Sequence, residues 1–278
     1  MRALLKDLCP PILLRMLRKL RPVPPPAPPA QAGSTAQWCS VSAGPVQGCN
    51  MLLNTKAAAF AQMAAGTYDD FLWQALNGIV ISGGTIIDAG AHIGYHSLGL
   101  ARLFPGCQVQ AFEPNPANQQ RIREHLQANT ELATRITLHG LALADREGEE
   151  ELSMNSRVDD ETSSGSHLVR AFQALPEQVY RKAGYATQRV QVRSLDAIAD
   201  QEGWTDVRLM KIDVEGAEHL LLRGAQALMK RDKPLLLLEV HGAACMLEVL
   251  AVLHPLGYTT RLLHEDGPAR CFIVASAI

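Results

Sequence analysis

A carboxylate at the end of one apolar strand, a two-glycine turn, and a second carboxylate about 20 residues further on are the most chemically suggestive spacing in this chain. The run Thr85-Ile86-Ile87-Asp88-Ala89-Gly90-Ala91-His92-Ile93-Gly94-Tyr95-His96-Ser97 reads as a short β-branched strand ending on Asp88. It then turns through Gly90 and Gly94 into a helix. A second apolar strand, Val109 to Phe112, ends on Glu113. The pattern suits an adenosine-containing ligand. Glycines let backbone approach the ligand, and an acidic side chain on the second strand accepts hydrogen bonds from ribose hydroxyls.

The turn narrows the choice of ligand. A dinucleotide site uses G-x-G-x-x-G to seat a pyrophosphate on a helix N-terminus. Here only Gly90-x-x-x-Gly94 is present, and Asp88 would repel a pyrophosphate. A cationic ligand bearing an ammonium and a sulfonium fits better, which is S-adenosylmethionine. Asp88, Gly90, Ala91, His92, Gly94, Glu113, Asn115 and Leu143 are the residues expected to hold it.

A second dense run is Leu209-Met210-Lys211-Ile212-Asp213-Val214-Glu215-Gly216-Ala217-Glu218. Leu209, Lys211 and Asp213 share one face of a strand by its period of two. A lysine inside a parallel sheet is costly unless paired, so Lys211 is expected to bridge to a neighbouring carboxylate. Asp213 leaves the strand where a substrate would sit. Glu239 and His241 end the next strand. Asp213, Glu215, Glu239 and His241 form the candidate catalytic set, with Asp213 and His241 as candidate bases. Asp213, Glu239 and His241 could instead hold a divalent cation, although spacing alone gives that little support. Glu218 is expected to do no more than stabilise the positive end of the following helix.

The runs from Asp88 to Ser97, Phe112-Glu113-Pro114, Arg193-Ser194-Leu195-Asp196 and Lys211 to Glu218 together resemble the FkbM-type methyltransferases. Leu222-x-Gly224-Ala225 and the Leu238-Glu239 strand end fit the same pattern, and the resemblance spans roughly Gly66 to Val274. It implies a class I methyltransferase fold, α/β and Rossmann-like, with a doubly wound and mostly parallel seven-stranded sheet. It also implies methyl transfer from S-adenosylmethionine, usually to a hydroxyl of a sugar, glycan or secondary metabolite. Two alternatives stand beside it: a cofactor-binding module without catalysis, and an N-methyltransferase on a small molecule.

The elements that must position these residues alternate. Strands are expected at Thr85 to Asp88, Val109 to Glu113, Ile136 to Leu138 (extending toward Leu143), Arg189 to Val192, Val207 to Ile212 and Leu235 to Val240. Helices are expected after the glycine turn to about Phe104, from Asn115-Pro116 to about Asn129, from Leu195, from Ala217 to Met229, and from Ala243 to His254. Tyr258 to Leu263 and Cys271 to Ala275 read as a terminal antiparallel hairpin. Such a pattern argues for a doubly wound sheet with ligands at the carboxyl ends of its strands. Glu147 to Gln188 is uneven enough for an insertion bearing a hairpin and a substrate-facing lid.

Three segments are expected: residues 1–35 as a basic amphipathic stretch and proline-rich linker, 36–84 as a helical extension packed on the core, and 85–278 as the methyltransferase domain. In the extension, Asn54 to Ala65 and Tyr68 to Leu76 read as helices, with Thr67 and Asp70 resembling a capping box. Residues 1–21 could make weak contact with an anionic membrane surface or a partner. Pro22 to Ser34 is an extended spacer. A formal net charge of −2 over 278 residues gives no footprint for nucleic acid. Six scattered cysteines without a C-x-x-C pair fit a reducing cytoplasm, with peripheral attachment to the inner membrane face left open.

Overall fold

The computed structural model describes residues 35–155, 162, 164–172, 185–267 and 270–277. These belong to one unit, Ser34–Ile278. The basic stretch 1–21 and the spacer Pro22 to Ser34 lie outside the described residues, as does part of the expected insertion.

The core strands are runs of β-branched and aliphatic residues, as a sheet covered on both faces requires. They are β3 (Gly84–Ala89), β4 (Cys107–Phe112), β5 (Ile136–His139), β10 (Val207–Ile212) and β11 (Leu235–His241). All five run parallel. The terminal hairpin, β12 (Tyr258–Asp266) and β13 (Arg270–Ala277), adds two antiparallel strands. The order across the sheet is β12-β13-β11-β10-β3-β4-β5, so the expected seven-stranded, mostly parallel sheet is present. Ile86 and Ile87 show how it is clothed. Side chains alternate faces along a strand, and these two neighbours belong to separate apolar cores.

Chain order reverses between β3 and β10, which places the switch point where the two motifs meet. Lys211 stands beside Asp88 in the β10–β3 register, and the Asp213 amide donates to the Ala89 carbonyl (3.0 Å). Helix α3 (Tyr95–Leu103) follows the glycine turn, and α4 (Pro116–Ala128) starts where Asn115 caps the Ala117 amide. After the short α5 (Thr130–Ala133) comes β5, and α6 (Leu195–Glu202) begins at the Ser194 cap.

Several expectations need correction. The extension 36–84 is not wholly helical. It opens with a hairpin, β1 (Gln37–Ser40) and β2 (Asn50–Leu53), and only then forms α1 (Ala58–Ala65) and α2 (Asp70–Ala75). The Thr67/Asp70 capping box does not form, because Asp69 takes the N-cap position in a left-handed conformation and its side chain turns to His96 instead. Leu143 does not extend β5. It lies in β6 (Ala142–Leu143), which joins β7 (Gly148–Asn155), β8 (His167–Leu168) and β9 (Tyr185–Arg193) in a second sheet of order β6-β9-β7-β8. The helix expected over Ala217 to Met229 is two helices, α7 (Glu218–Arg223) and α8 (Gln226–Asp232). The break falls at Gly224, where a Cβ would stand 2.0 Å from the Ala144 carbonyl oxygen. Helix α9 (Ala243–Leu253) completes the doubly wound layer.

Candidate active site

At the carboxyl ends of β3, β4, β10 and β11 a cavity of about 720 Å³ opens. That size lies within the range of small-molecule and cofactor sites. Gly90, Ala91, His92, Glu113 and Leu143 line one part, and Asp213, Glu215 and Glu239 line another.

Glu113 leaves β4 almost fully buried. Its Oε2 accepts the His92 amide and its Oε1 the Asn115 amide, each at 2.9 Å. The carboxylate therefore fixes the turn after β3 and still keeps lone pairs for a ligand. Burial pushes its pKa up to about 7 against the pull of these amides. His92 sits at φ 50, a conformation that a non-glycine residue holds only when its surroundings impose it. Burial, reinforced by Lys211, lowers the imidazole to about 3, so the ring is neutral and stacks near Phe60.

Gly90 is required for a reason other than ligand approach. It has φ 77, and a Cβ there would lie 1.6 Å from the Asp213 carbonyl oxygen. The two motif loops touch at that point, and only glycine permits it.

Asp88 is fully buried and does not line the cavity. Its Oδ2 accepts the Ser97 hydroxyl at 2.5 Å, and its Oδ1 faces the Lys211 ammonium at 3.5 Å. Lys211 also donates to the Gly90 carbonyl (3.0 Å) and pairs with Asp213 Oδ2 (3.5 Å). Burial alone would lower its pKa. Asp88, Asp213 and Glu239 outweigh that and hold the ammonium charged. The expected bridging role of Lys211 is present, whereas Asp88 acts behind the turn and not on its ligand side. Asn115 and Gly94 likewise shape the wall as caps of α4 and α3 without lining the cavity.

The acidic end is denser. Glu218 is fully buried and accepts from the amide of Gly216 (3.0 Å), the Cys245 thiol (3.0 Å) and His241 Nδ1 (2.9 Å). It clamps the loop after β10 to the end of β11, which is more than the helix-dipole role expected of it. His241 Nε2 stands 3.4 Å from both Glu215 Oε2 and Glu239 Oε1. Burial would lower the pKa of His241, but Glu218 foremost, then Glu239 and Glu215, push it up to about 11. The surrounding carboxylates thus favour the protonated ring while nothing else neutralises them. Burial raises both Asp213 and Glu215. Lys211 opposes the shift in Asp213, and neighbouring Asp213 adds to that in Glu215. Glu215 is also held at a positive φ of 52.

Other parts of the wall carried no recognisable signal in the sequence. Phe60, Met63, Tyr68 and Phe71 come from α1, α2 and the turn between them, and His264 and Phe272 from the terminal hairpin. Phe71 packs on His264 (4.7 Å between ring centroids) and Phe272 (4.5 Å), so the extension and the hairpin meet over the acidic end.

A family model described as "Methyltransferase FkbM domain" matches residues 88–259, more than half of the chain and both motif runs. Among curated proteins, the AMB antimetabolite synthetase AmbE of Pseudomonas aeruginosa is 27% identical over 179 residues, which is 56% of this chain and 8% of AmbE. Methyltransferase 1 of Beauveria bassiana is 26% identical over 144 residues, 50% of this chain and 57% of that protein. The chain thus spans a small part of the first relative's length and just over half of the second's. Among solved structures, the methyltransferase FkbM of Methylobacillus flagellatus KT is 23% identical, with a TM-score of 0.47, covering 71% of this chain and 45% of that one. The TYW2 protein of M. jannaschii, solved with AdoMet, is 13% identical with a TM-score of 0.46, covering 89% of this chain and 87% of that one. From the extent of the family match, the chain belongs to the FkbM methyltransferase family.

Proposed function

We propose that the protein transfers a methyl group from S-adenosylmethionine to a hydroxyl of a small-molecule or carbohydrate acceptor. The observation that carries this reading is that Glu113 and the set Asp213, Glu215 and Glu239 line one continuous cavity. Glu113 accepts hydrogen bonds from the ribose hydroxyls, and the turn from Gly90 to His92 follows the cofactor. The sulfonium is then drawn toward the acidic end. Methyl transfer to oxygen is an in-line displacement, so alignment of acceptor and methyl supplies much of the catalysis. The acceptor hydroxyl must also lose its proton. Glu215 is the better base of the two loop carboxylates, since the Lys211 ammonium restrains the basicity of Asp213 but does not touch Glu215.

The test has two parts. Calorimetry should show binding of S-adenosylmethionine and S-adenosylhomocysteine but not NAD, and the reverse result would end the proposal. With an acceptor found by mass-spectrometric screening of glycans and polyketides, Glu215→Gln should lower kcat by ~10²–10⁴. Adenosyl affinity should stay within a few fold. A fall in affinity with kcat preserved would move Glu215 from the acceptor to the cofactor.

A further inference from the structure

Four carboxylates surround His241, and hydrogen bonding within the protein does not account for all of their atoms. Asp213 Oδ1 is buried without a hydrogen-bond partner among the described residues, while Glu239 Oε1 and His241 Nε2 are buried and meet charged neighbours only at 3.1–3.4 Å, outside hydrogen-bond geometry. One ligand atom from each of the three residues can be chosen so that all lie within 4.8 Å of one another. Divalent cations bind oxygen ligands at roughly 2.0–2.6 Å, so two ligands of one ion stand at most about 5 Å apart. The cluster meets that limit without movement of the backbone.

The orientation of the imidazole is a separate observation. Glu218, with no exposed surface, holds His241 Nδ1 at 2.9 Å and is itself fixed by the Gly216 amide and the Cys245 thiol. A carboxylate on one ring nitrogen that turns the other toward an ion is the usual support of a metal-binding histidine. Nε2 accordingly faces Glu239 and Glu215 across 3.4 Å. Glu239, 8% exposed, turns Oε1 toward the same space, where its neighbours are His241 Nε2 and the Arg270 guanidinium.

We infer that Asp213, Glu239 and His241 bind a divalent cation, with Glu218 as the positioning residue for the imidazole. Two carboxylate oxygens and one imidazole nitrogen suit a hard or borderline ion such as Mn²⁺ or Mg²⁺. Three protein ligands leave coordination positions open toward the cavity. Binding of the ion does not depend on the methyl-transfer reading, but its chemical role does. An acceptor hydroxyl on the ion becomes more acidic and passes its proton to Glu215. The freed oxygen pair then forms the bond to the methyl carbon as the carbon–sulfur bond breaks. The products are a methyl ether and S-adenosylhomocysteine.

Two cations compete for this space. Arg270 Nη1 lies 3.1 Å from Glu239 Oε1, and Lys211 Nζ lies 3.5 Å from Asp213 Oδ2. Lys211 is locked by Asp88 and Gly90. Arg270 is half-exposed and also paired to Asp266, so it can swing outward when an ion enters.

The test is titration of the EDTA-treated, dialysed full chain with Mn²⁺ alone, following loss of the free-ion electron paramagnetic resonance signal. One Mn²⁺ per chain is expected. Glu218→Gln should weaken it by roughly 10–100-fold. Glu239→Gln and His241→Asn should weaken it at least as much, and Arg270→Ala should tighten it. Absence of binding at millimolar Mn²⁺ in wild type would overturn the inference. So would undiminished binding in Glu239→Gln and His241→Asn. Calorimetry with S-adenosylhomocysteine on the same samples separates the two readings and confirms that each variant is folded. Adenosyl binding without Mn²⁺ overturns the ion alone, whereas Mn²⁺ binding without adenosyl binding sustains the ion and removes the methyl-transfer role.

Discussion

Glu113 and Gly90 show how single residues here serve the loops before they serve a ligand. Glu113 holds two amides of the surrounding turns, and burial keeps its carboxyl protonated up to about pH 7. An ionised carboxylate is the stronger acceptor for ribose hydroxyls. Affinity for S-adenosylhomocysteine should therefore rise as pH increases through 7, and calorimetry on Glu113→Gln should show that dependence flattened. Glu113→Ala should cost about 1.5–3 kcal/mol of binding. The same raised pKa acts on folding with a definite sign. The folded state binds this proton more tightly than the unfolded chain, so the contribution is present below about pH 4.5 and is lost as pH rises through 7. Gly90 makes a sharper demand. Gly90→Ala should destabilise by ~3 kcal/mol or more, read from the urea midpoint, because both the left-handed φ and the Asp213 carbonyl oppose a Cβ.

At the scale of elements, the decisive joint is between hairpin β1–β2 and helix α4. Arg121 and His125 on that helix and Asn129 at its C-cap recur at intervals of four. Arg121 donates to the Leu52 carbonyl (2.9 Å), His125 Nε2 accepts the Leu52 amide (2.9 Å), and Asn129 exchanges two hydrogen bonds with Asn50. The other nitrogen of His125 reaches the Ile93 carbonyl (2.8 Å), which ties the hairpin to the glycine turn. His125→Ala should cost about 1–3 kcal/mol by leaving both groups unpaired. Hydrogen exchange at the Asn50 and Leu52 amides should speed up more than exchange in β3, and equal acceleration would refute a local joint. This spacing explains what the sequence concealed. Polar residues at helical spacing read as a solvated face, and β1 and β2 are too short to show a period. The aromatic wall of Tyr68, Phe71 and Phe272 was hidden for another reason: it is assembled across a long separation in sequence. The sheet was legible because each of its strands carries its own signal: an apolar run, an acidic end, then a cap or a glycine. The carboxylates at the strand ends were legible with it. Which of them face the cavity was not, because Asp88 and Asp213 both end apolar strands and both stand 3.5 Å from Lys211, and only the fold buries the one and opens the other to the cavity.

For the molecule as a whole, the described unit Ser34–Ile278 contains the sheet, the cavity and every candidate site residue. Among the described residues, no helix is long and apolar enough to cross a membrane. Removing residues 1–34 should shift unfolding free energy by less than about 0.5 kcal/mol, because a proline-rich spacer supports few long-range contacts. Thermal melting and adenosyl affinity of the shortened chain are the measurements. A fall in melting temperature would show that the basic stretch packs on the unit. Liposome co-sedimentation lost on deletion, with affinity unchanged, would mark it as a membrane contact.

The strand order has a consequence for how this protein is made. β13 lies between β11 and β12 although it follows both in sequence. While a nascent chain emerges, β11 therefore waits with an open edge, and β12, which pairs with β13 alone, has nothing in the sheet to join. An unpaired apolar edge of Leu235 to Leu238 invites pairing with another chain. The wall formed by Phe71 and Phe272 cannot close during that interval either. Insertion of β13 thus seals the edge and completes the cavity wall in one event, so an interrupted or shortened translation product would be sticky and would lack the Arg270 and Phe272 side of the cavity.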